Sequence, residues 1–260
     1  MEGKETGETV LNYIKAELWK VSRRRSACAM VVCLLLCTAL FFGIYASGGF
    51  RSLATGVSST MLLGMLLAPP LVQMVDGQTA DTLKNELGFG LRRGTVYWGK
   101  LCAALLLGLA LCAVLVGGSL GLGWLLLPHG QPDQAAMALE LAGFCLLGAL
   151  PVWCGMFALC HMLALTIRST AAWVSGYYLV FFMGQPLLIF VAIMLFGIYE
   201  ASGLFSHLVA VLMPYTLLMP EALEGWLTPE YQLWCWSIGL GWMAVSTALG
   251  LTLFGRRDVR

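Results

Sequence analysis

Charge is scarce in this 260-residue chain. Asp, Glu, Lys and Arg make up 11% of it and hydrophobic residues 59%, where an ordinary soluble domain has about 25% charged residues. A soluble core cannot absorb that much apolar surface at this length, but lipid can. The long apolar stretches hold almost no ionisable group near their middles, which argues against a proton- or sodium-coupled pump, because such groups mark ion pathways. Nucleotide chemistry is missing too, since no Gly-x-x-x-x-Gly-Lys-Ser/Thr loop is present to cradle phosphates. There is no His-Glu-x-x-His pair and no Gly-x-Ser-x-Gly elbow. The three histidines, His129, His161 and His207, are too scattered to suggest a metal site. No internal repeat supports an inverted-repeat secondary transporter. These absences predict a chain that is not itself an enzyme and binds no cofactor.

The nine cysteines all lie in or beside apolar runs. There they serve as small, soft packing residues and describe no disulfide framework.

What is present is a set of roughly six apolar stretches, each long enough to cross a bilayer core about 30 Å thick. Numbering the gaps alternately from the inside puts fourteen of the fifteen basic residues on one face: Lys4, Lys15, Lys20, Arg23, Arg24, Arg25, Lys84, Arg92, Arg93, Lys100, Arg168, Arg256, Arg257 and Arg260. Only Arg51 falls on the other. Cytoplasmic loops hold excess Lys and Arg, so this predicts both termini in the cytoplasm of a cell (plasma) membrane. Six of the fourteen acids fall outside: Asp133, Glu140, Glu200, Glu221, Glu224 and Glu230. The inward basic residues therefore read as topology signals, and no nucleic-acid partner is expected.

The expected fold is all-α: a polytopic membrane protein of six transmembrane helices, with an interfacial segment at residues 1–26 and a transmembrane domain at 27–260. Leu11, Ile14, Leu18 and Val21 mark one face of an amphipathic helix over 8–25, with Trp19 and the Arg23–Arg25 cluster suited to the headgroup level. The first apolar stretch lacks an Ala-x-Ala cleavage pattern and reads as a retained span. Spans are predicted at 27–45, 53–75, 96–127, 138–167, 171–198 and 233–254. In the second, Gly56, Thr60, Gly64 and Ala68 recur every four residues, a surface that admits close approach. Pro69-Pro70 should bend that span, tolerable only where neighbours or water satisfy the freed carbonyls. Pro151 is expected to kink the fourth span. Residues 128–132 read as an outer turn, and Arg168-Ser169-Thr170 as an inner turn that forces spans four and five to be antiparallel. Residues 199–232 are too apolar for a solvated loop and predict short helices over 204–213 and 216–227 that dip into the outer leaflet. His161 is expected to reach the inner interface. Gln185, beside Pro186, is the best candidate for a polar group on a pathway.

The strongest signal lies in the inner loop over 76–100. A short helix is predicted over 82–87, with Asp81 or Thr82 able to cap its amides and Gly88 and Gly90 to end it. A second helix carrying Arg92, Arg93 and Lys100 then enters the membrane. A short rigid helix held below the bilayer by two spans is a docking element.

At these residues the chain resembles the type-2 ABC transporter permeases. Thr82-Leu83-Lys84-Asn85, Gly90, Arg93, Tyr97 and Lys100 fit that family's loop in register, while Asp81 stands where the family often has Gly. The Tyr13-to-Lys20 start, the six spans, the apolar outer segments and the Phe254-Gly255-Arg256-Arg257-Asp258-Val259 ending extend the resemblance along nearly the whole chain. It implies a permease subunit working with cytoplasmic ABC ATPase subunits and with a second permease copy or paralogue. ATP and Mg would be held by the ATPase. Asp81, Thr82, Leu83, Lys84, Asn85, Glu86 and Leu87 would form the coupling element, with Glu17 and Lys20 a secondary contact. Within the family it is most similar to bacterial permeases of the lantibiotic-immunity and bacitracin-resistance kind, which expel membrane-active peptides. The competing expectations are an intramembrane enzyme acting on lipid or peptide, with Gln185 and His161 as its polar groups, and a non-transporting membrane scaffold.

Overall fold

A computed structural model describes residues 2–44, 52–76, 85–88, 90–127, 132–196, 203–219 and 225–256. Among them the protein is entirely helical, with no strand. Five helices are long and apolar enough to cross a membrane: α2 (Arg25–Ile44), α6 (Arg93–Leu126), α7 (Pro132–Thr166), α8 (Thr170–Phe196) and α10 (Pro229–Arg256). A sixth span exists if the bent pair α3 (Ser52–Leu66) and α4 (Ala68–Asp76) counts as one. This is a multi-pass membrane protein. Helix α1 (Glu2–Ser22) precedes the spans, a single helical turn at 85–88 (α5) stands in the loop before α6, and α9 (Gly203–Leu212) leads into the 3₁₀ turn Pro214–Leu218.

The bend between α3 and α4 is 41° and falls at Leu67. Its cause is Pro69-Pro70. Neither proline has an N–H, so the carbonyls of Met65 and Leu66, four residues earlier, lose their helical donors. In lipid an orphan carbonyl has no water to turn to. The tyrosines of α8 supply the missing protons: the Tyr177 hydroxyl donates to Met65 O and the Tyr178 hydroxyl to Leu66 O, both at 2.9 Å. Two consecutive prolines on one span are thus answered by two consecutive tyrosines on another.

The four-residue stripe of α3 is used, though by three neighbours and not one. At Gly56 a side chain would collide with the ring of Phe42 on α2, and at Gly64 with the indole of Trp153 on α7. Between them Thr60 Oγ1 lies 3.1 Å from Ser119 Oγ on α6. Small residues here admit rings and a hydroxyl contact where large ones would hold the helices apart. Trp153 also donates its Nε1 proton to Met61 O at 3.0 Å.

Helices α7 and α10 make the most extensive pairing in the bundle. Pro151 interrupts α7, and Gly239 of α10 sits so close to the Pro151 carbonyl that any side chain there would meet backbone. Gly155 is pressed against Gly239 O in the same way. Far from the chain ends, the 3₁₀ turn is a buried wedge: Leu218 O accepts from Ser58 Oγ at 2.8 Å, and Phe181 stacks on Tyr215 with ring centroids 4.4 Å apart. The short helix expected over 204–213 is α9. Of the segment expected over 216–227, residues 220–224 lie outside the described residues, Pro214 starts a 3₁₀ turn ending at Leu218, and residues 225–227 form another.

The tyrosine–proline pairing is separable by mutation. Tyr177→Phe and Tyr178→Phe should each cost about 1 kcal/mol, the scale of hydrogen bonds between membrane helices. Pro69→Ala should abolish most of the Tyr177→Phe cost, and Pro70→Ala that of Tyr178→Phe, since each restores the missing helical donor. Thermal unfolding of the four single and two double variants in one detergent measures both couplings.

Candidate functional site

The candidate site is the base of the bundle, where α1, the end of α4, α5, the first turns of α6 and the last turn of α10 converge. Helical turn α5 stops at a defined place. Gly90 has a φ of +85°, its N–H donates to Leu87 O at 3.1 Å, and the Leu91 N–H donates to Glu86 O at 3.4 Å. This is a Schellman closure, and its left-handed residue suits glycine alone without strain. Of the predicted coupling residues, Asn85, Glu86 and Leu87 are helical as expected. Asp81, Thr82, Leu83 and Lys84 lie outside the described residues.

Asn85 is exposed, but Glu86 turns inward. The Tyr13 hydroxyl of α1 donates to Glu86 Oε2 at 2.9 Å, and Lys100 Nζ of α6 stands 3.6 Å from the same oxygen. Lys100 is 2% exposed and Glu86 11%, so each needs the other: an uncompensated charge at that depth is strongly destabilising. Tyr13 is held well above the ordinary tyrosine value of 10.0, by burial first and by the charges of Glu86 and Glu17 next. Raised in this way, the phenol remains a donor at every pH below its ordinary titration range, and the stabilisation it brings is lost only as pH climbs beyond that range.

The amphipathic helix meets α6 closely, since a side chain at Gly99 would strike the Tyr13 ring. On the same helix Glu17 is 1% exposed and accepts from Lys20 Nζ at 2.7 Å, while Lys20 itself is 37% exposed. Of this predicted pair, then, Lys20 faces outward and Glu17 holds it from beneath. Arg93, another residue of the loop motif, donates through Nη1 to Phe254 O at 3.2 Å and to Gly255 O at 2.6 Å. A guanidinium on the last carbonyls of α10 also meets the negative end of that helix dipole.

His161 departs from expectation. It does not reach the interface: it is fully buried, with Nδ1 2.6 Å from Asp76 Oδ2 and Nε2 3.2 Å from Tyr97 O. Asp76 is equally buried. A backbone carbonyl only accepts, so Nε2 carries a proton, and a second proton lies between Nδ1 and the carboxylate. The pair is neutral as a unit, which is the condition for hiding both groups. Tyr97 closes it on one side, its ring centroid 4.6 Å from the imidazole. The pair ties the end of the broken span α3–α4 to α7 and α6. Separation of 85 residues concealed it. One signal pointed to it: Asp76 ends α4, where the helix dipole disfavours an anion and so implies a cationic partner.

Gln185 and His161 are not brought together, because both imidazole nitrogens are engaged by Asp76 and Tyr97. Gln185 is half-buried and Pro186 exposed on α8, beside Gly184, which packs on the sulfur of Met213. Among the described residues no cluster of His, Cys, Asp and Glu has the make-up of a metal site. None of the nine cysteines forms a disulfide. No protein-family model matches the chain, and no curated protein matches it in sequence.

Two outcomes test the base. Glu86→Gln should lower the thermal midpoint by stranding Lys100, at a cost of about 3 kcal/mol, and adding Lys100→Met should recover most of it. Likewise Asp76→Ala should cost about 3–5 kcal/mol, whereas Asp76→Leu combined with His161→Leu should cost much less than the two single changes together. Additive losses in a thermal double-mutant cycle would show that these groups do not depend on one another.

Proposed function

We propose that this chain is the transmembrane permease subunit of an ATP-binding-cassette exporter, with the base of the bundle in the cytoplasm. The supporting observation is the Glu86 junction. One carboxylate on a short helical turn holds Tyr13 on the surface helix and Lys100 at the foot of a span. A push on α5 is therefore delivered to both at once, which is what a mechanical receiver requires. On this reading Asn85 and the residues 81–84 before it meet the ATPase, Leu87 and Glu86 anchor the turn, and Lys20, braced by Glu17, is the secondary contact. The His161–Asp76 pair carries the movement from the end of α4 into α7. ATP and Mg belong to the ATPase.

Helices α2 and α8 are the least enclosed of the spans, which leaves their faces for lipid and for a second permease, either a copy or a paralogue. Gln185 and Pro186 belong to the pathway side of α8. The cargo is an amphipathic compound moved outward, of the antimicrobial-peptide or lipid-like class, and the setting is a bacterial cell membrane with both termini inside.

The test is biochemical. Purified alone, the chain should hydrolyse no ATP. Co-expressed with a cognate ATPase, it should give hydrolysis that falls on charge reversal at Lys84 or Glu86. Normal coupled ATPase activity after removal of residues 81–87 would sink the proposal.

A further inference from the structure

A cavity of about 330 Å³ lies between α7, α8, α10 and the 3₁₀ turn. Its α7 wall runs from Met156 through Leu163 to Ile167, and its α8 wall from Trp173 through Gly176 to Phe181. Met213, Pro214 and Tyr215 roof it, and Trp242 of α10 backs it. Two polar groups of these walls are spent elsewhere. The Tyr177 hydroxyl is committed to Met65 O, and Trp242 Nε1 donates to Val211 O at 2.8 Å. The lining is overwhelmingly apolar side chain, and an apolar cavity of this kind does not hold water well.

The shape narrows the occupant further. From Met156 to Ile167 the wall rises about 16 Å at 1.5 Å per residue, half of a hydrocarbon core about 30 Å thick. One end lies at the turn between α7 and α8, where the two candidate spans end. The other ends at the Pro214 wedge. The slot is as deep as one leaflet. At this end Arg168, exposed, directly follows the wall residue Ile167, at the end of the span, where a phosphate headgroup would stand.

We propose that this slot holds one acyl chain of a phospholipid from the leaflet at the base, with the headgroup phosphate at Arg168. The chain separates α8 from α7 alongside Tyr177, whose hydroxyl is turned to Met65 O, so α8 is held by hydrogen bonds on one side and by lipid on the other. This binding needs no ATPase, and its failure would leave the exporter reading untouched.

Gly176 offers a clean test, because a side chain there would begin in open space. The full-length protein is placed in nanodiscs containing phosphatidylglycerol with a photoactivatable diazirine in one acyl chain, irradiated, and mapped by peptide mass spectrometry. Adducts should concentrate on residues 156–167 and 172–181. Gly176→Phe, and as a second filling variant Val180→Trp, should each reduce them about tenfold, the loss that about 1.4 kcal/mol of binding makes, with α2 labelling and the thermal midpoint unchanged. Arg168→Glu should weaken labelling by the phosphatidylglycerol probe. Adducts spread evenly over α2 and α8, or unchanged by both filling variants, would overturn the proposal. So would slot labelling by a single-chain alkyl probe but not by the diacyl lipid, which would mark the slot as a cargo site.

Discussion

The bundle depends on how two backbone carbonyls are satisfied. Pro69-Pro70 removes the helical donors for Met65 O and Leu66 O within a span, and lipid offers no substitute. Here the solution is a donor from another helix, and Tyr177 and Tyr178 provide it at 2.9 Å each. That requirement sets where α8 sits. The Phe181–Tyr215 stack, the packing of Gly184 on Met213 and the burial of Trp173 in the core hold α8 further. The apolar slot runs alongside the clasp: Tyr177 lines it, and its hydroxyl is turned away to Met65 O while the neighbouring α8 wall stays unpacked against α7.

The base follows a second rule, that buried charge must be neutral in sum. Glu86 with Lys100, Asp76 with His161, and Glu17 with Lys20 each join two charges or share a proton. Two of the three pairs link separate elements, so the neutrality condition also welds α5 to α6 and α4 to α7. Such pairs add little net stability over apolar replacements. Their effect is to tie these elements to one another.

Much of this was legible in the chain. Every predicted span has a helix close to its place, because long apolar runs bounded by charge leave a membrane chain few alternatives. The bend at Pro69-Pro70 and the stop at Gly90 were readable for a local reason: a missing N–H and a missing Cβ act at their own positions. The stripe at Gly56, Thr60 and Gly64 announced close approach without saying by what, and three different helices answered. His161 was misjudged. An isolated histidine near a span end carries no spacing signal, and its partner sits 85 residues away.

Composition and charge order by themselves determined the membrane setting, the helical class, and the places where the helices bend and end, because each of those follows from the preference of a residue for its immediate surroundings. Only the tertiary structure decided which tyrosine answers which carbonyl, which base shares a proton with which acid, and that a slot one leaflet deep remains open beside α8. Those are relations between residues far apart in the chain, and no local preference specifies the partner of an orphaned group.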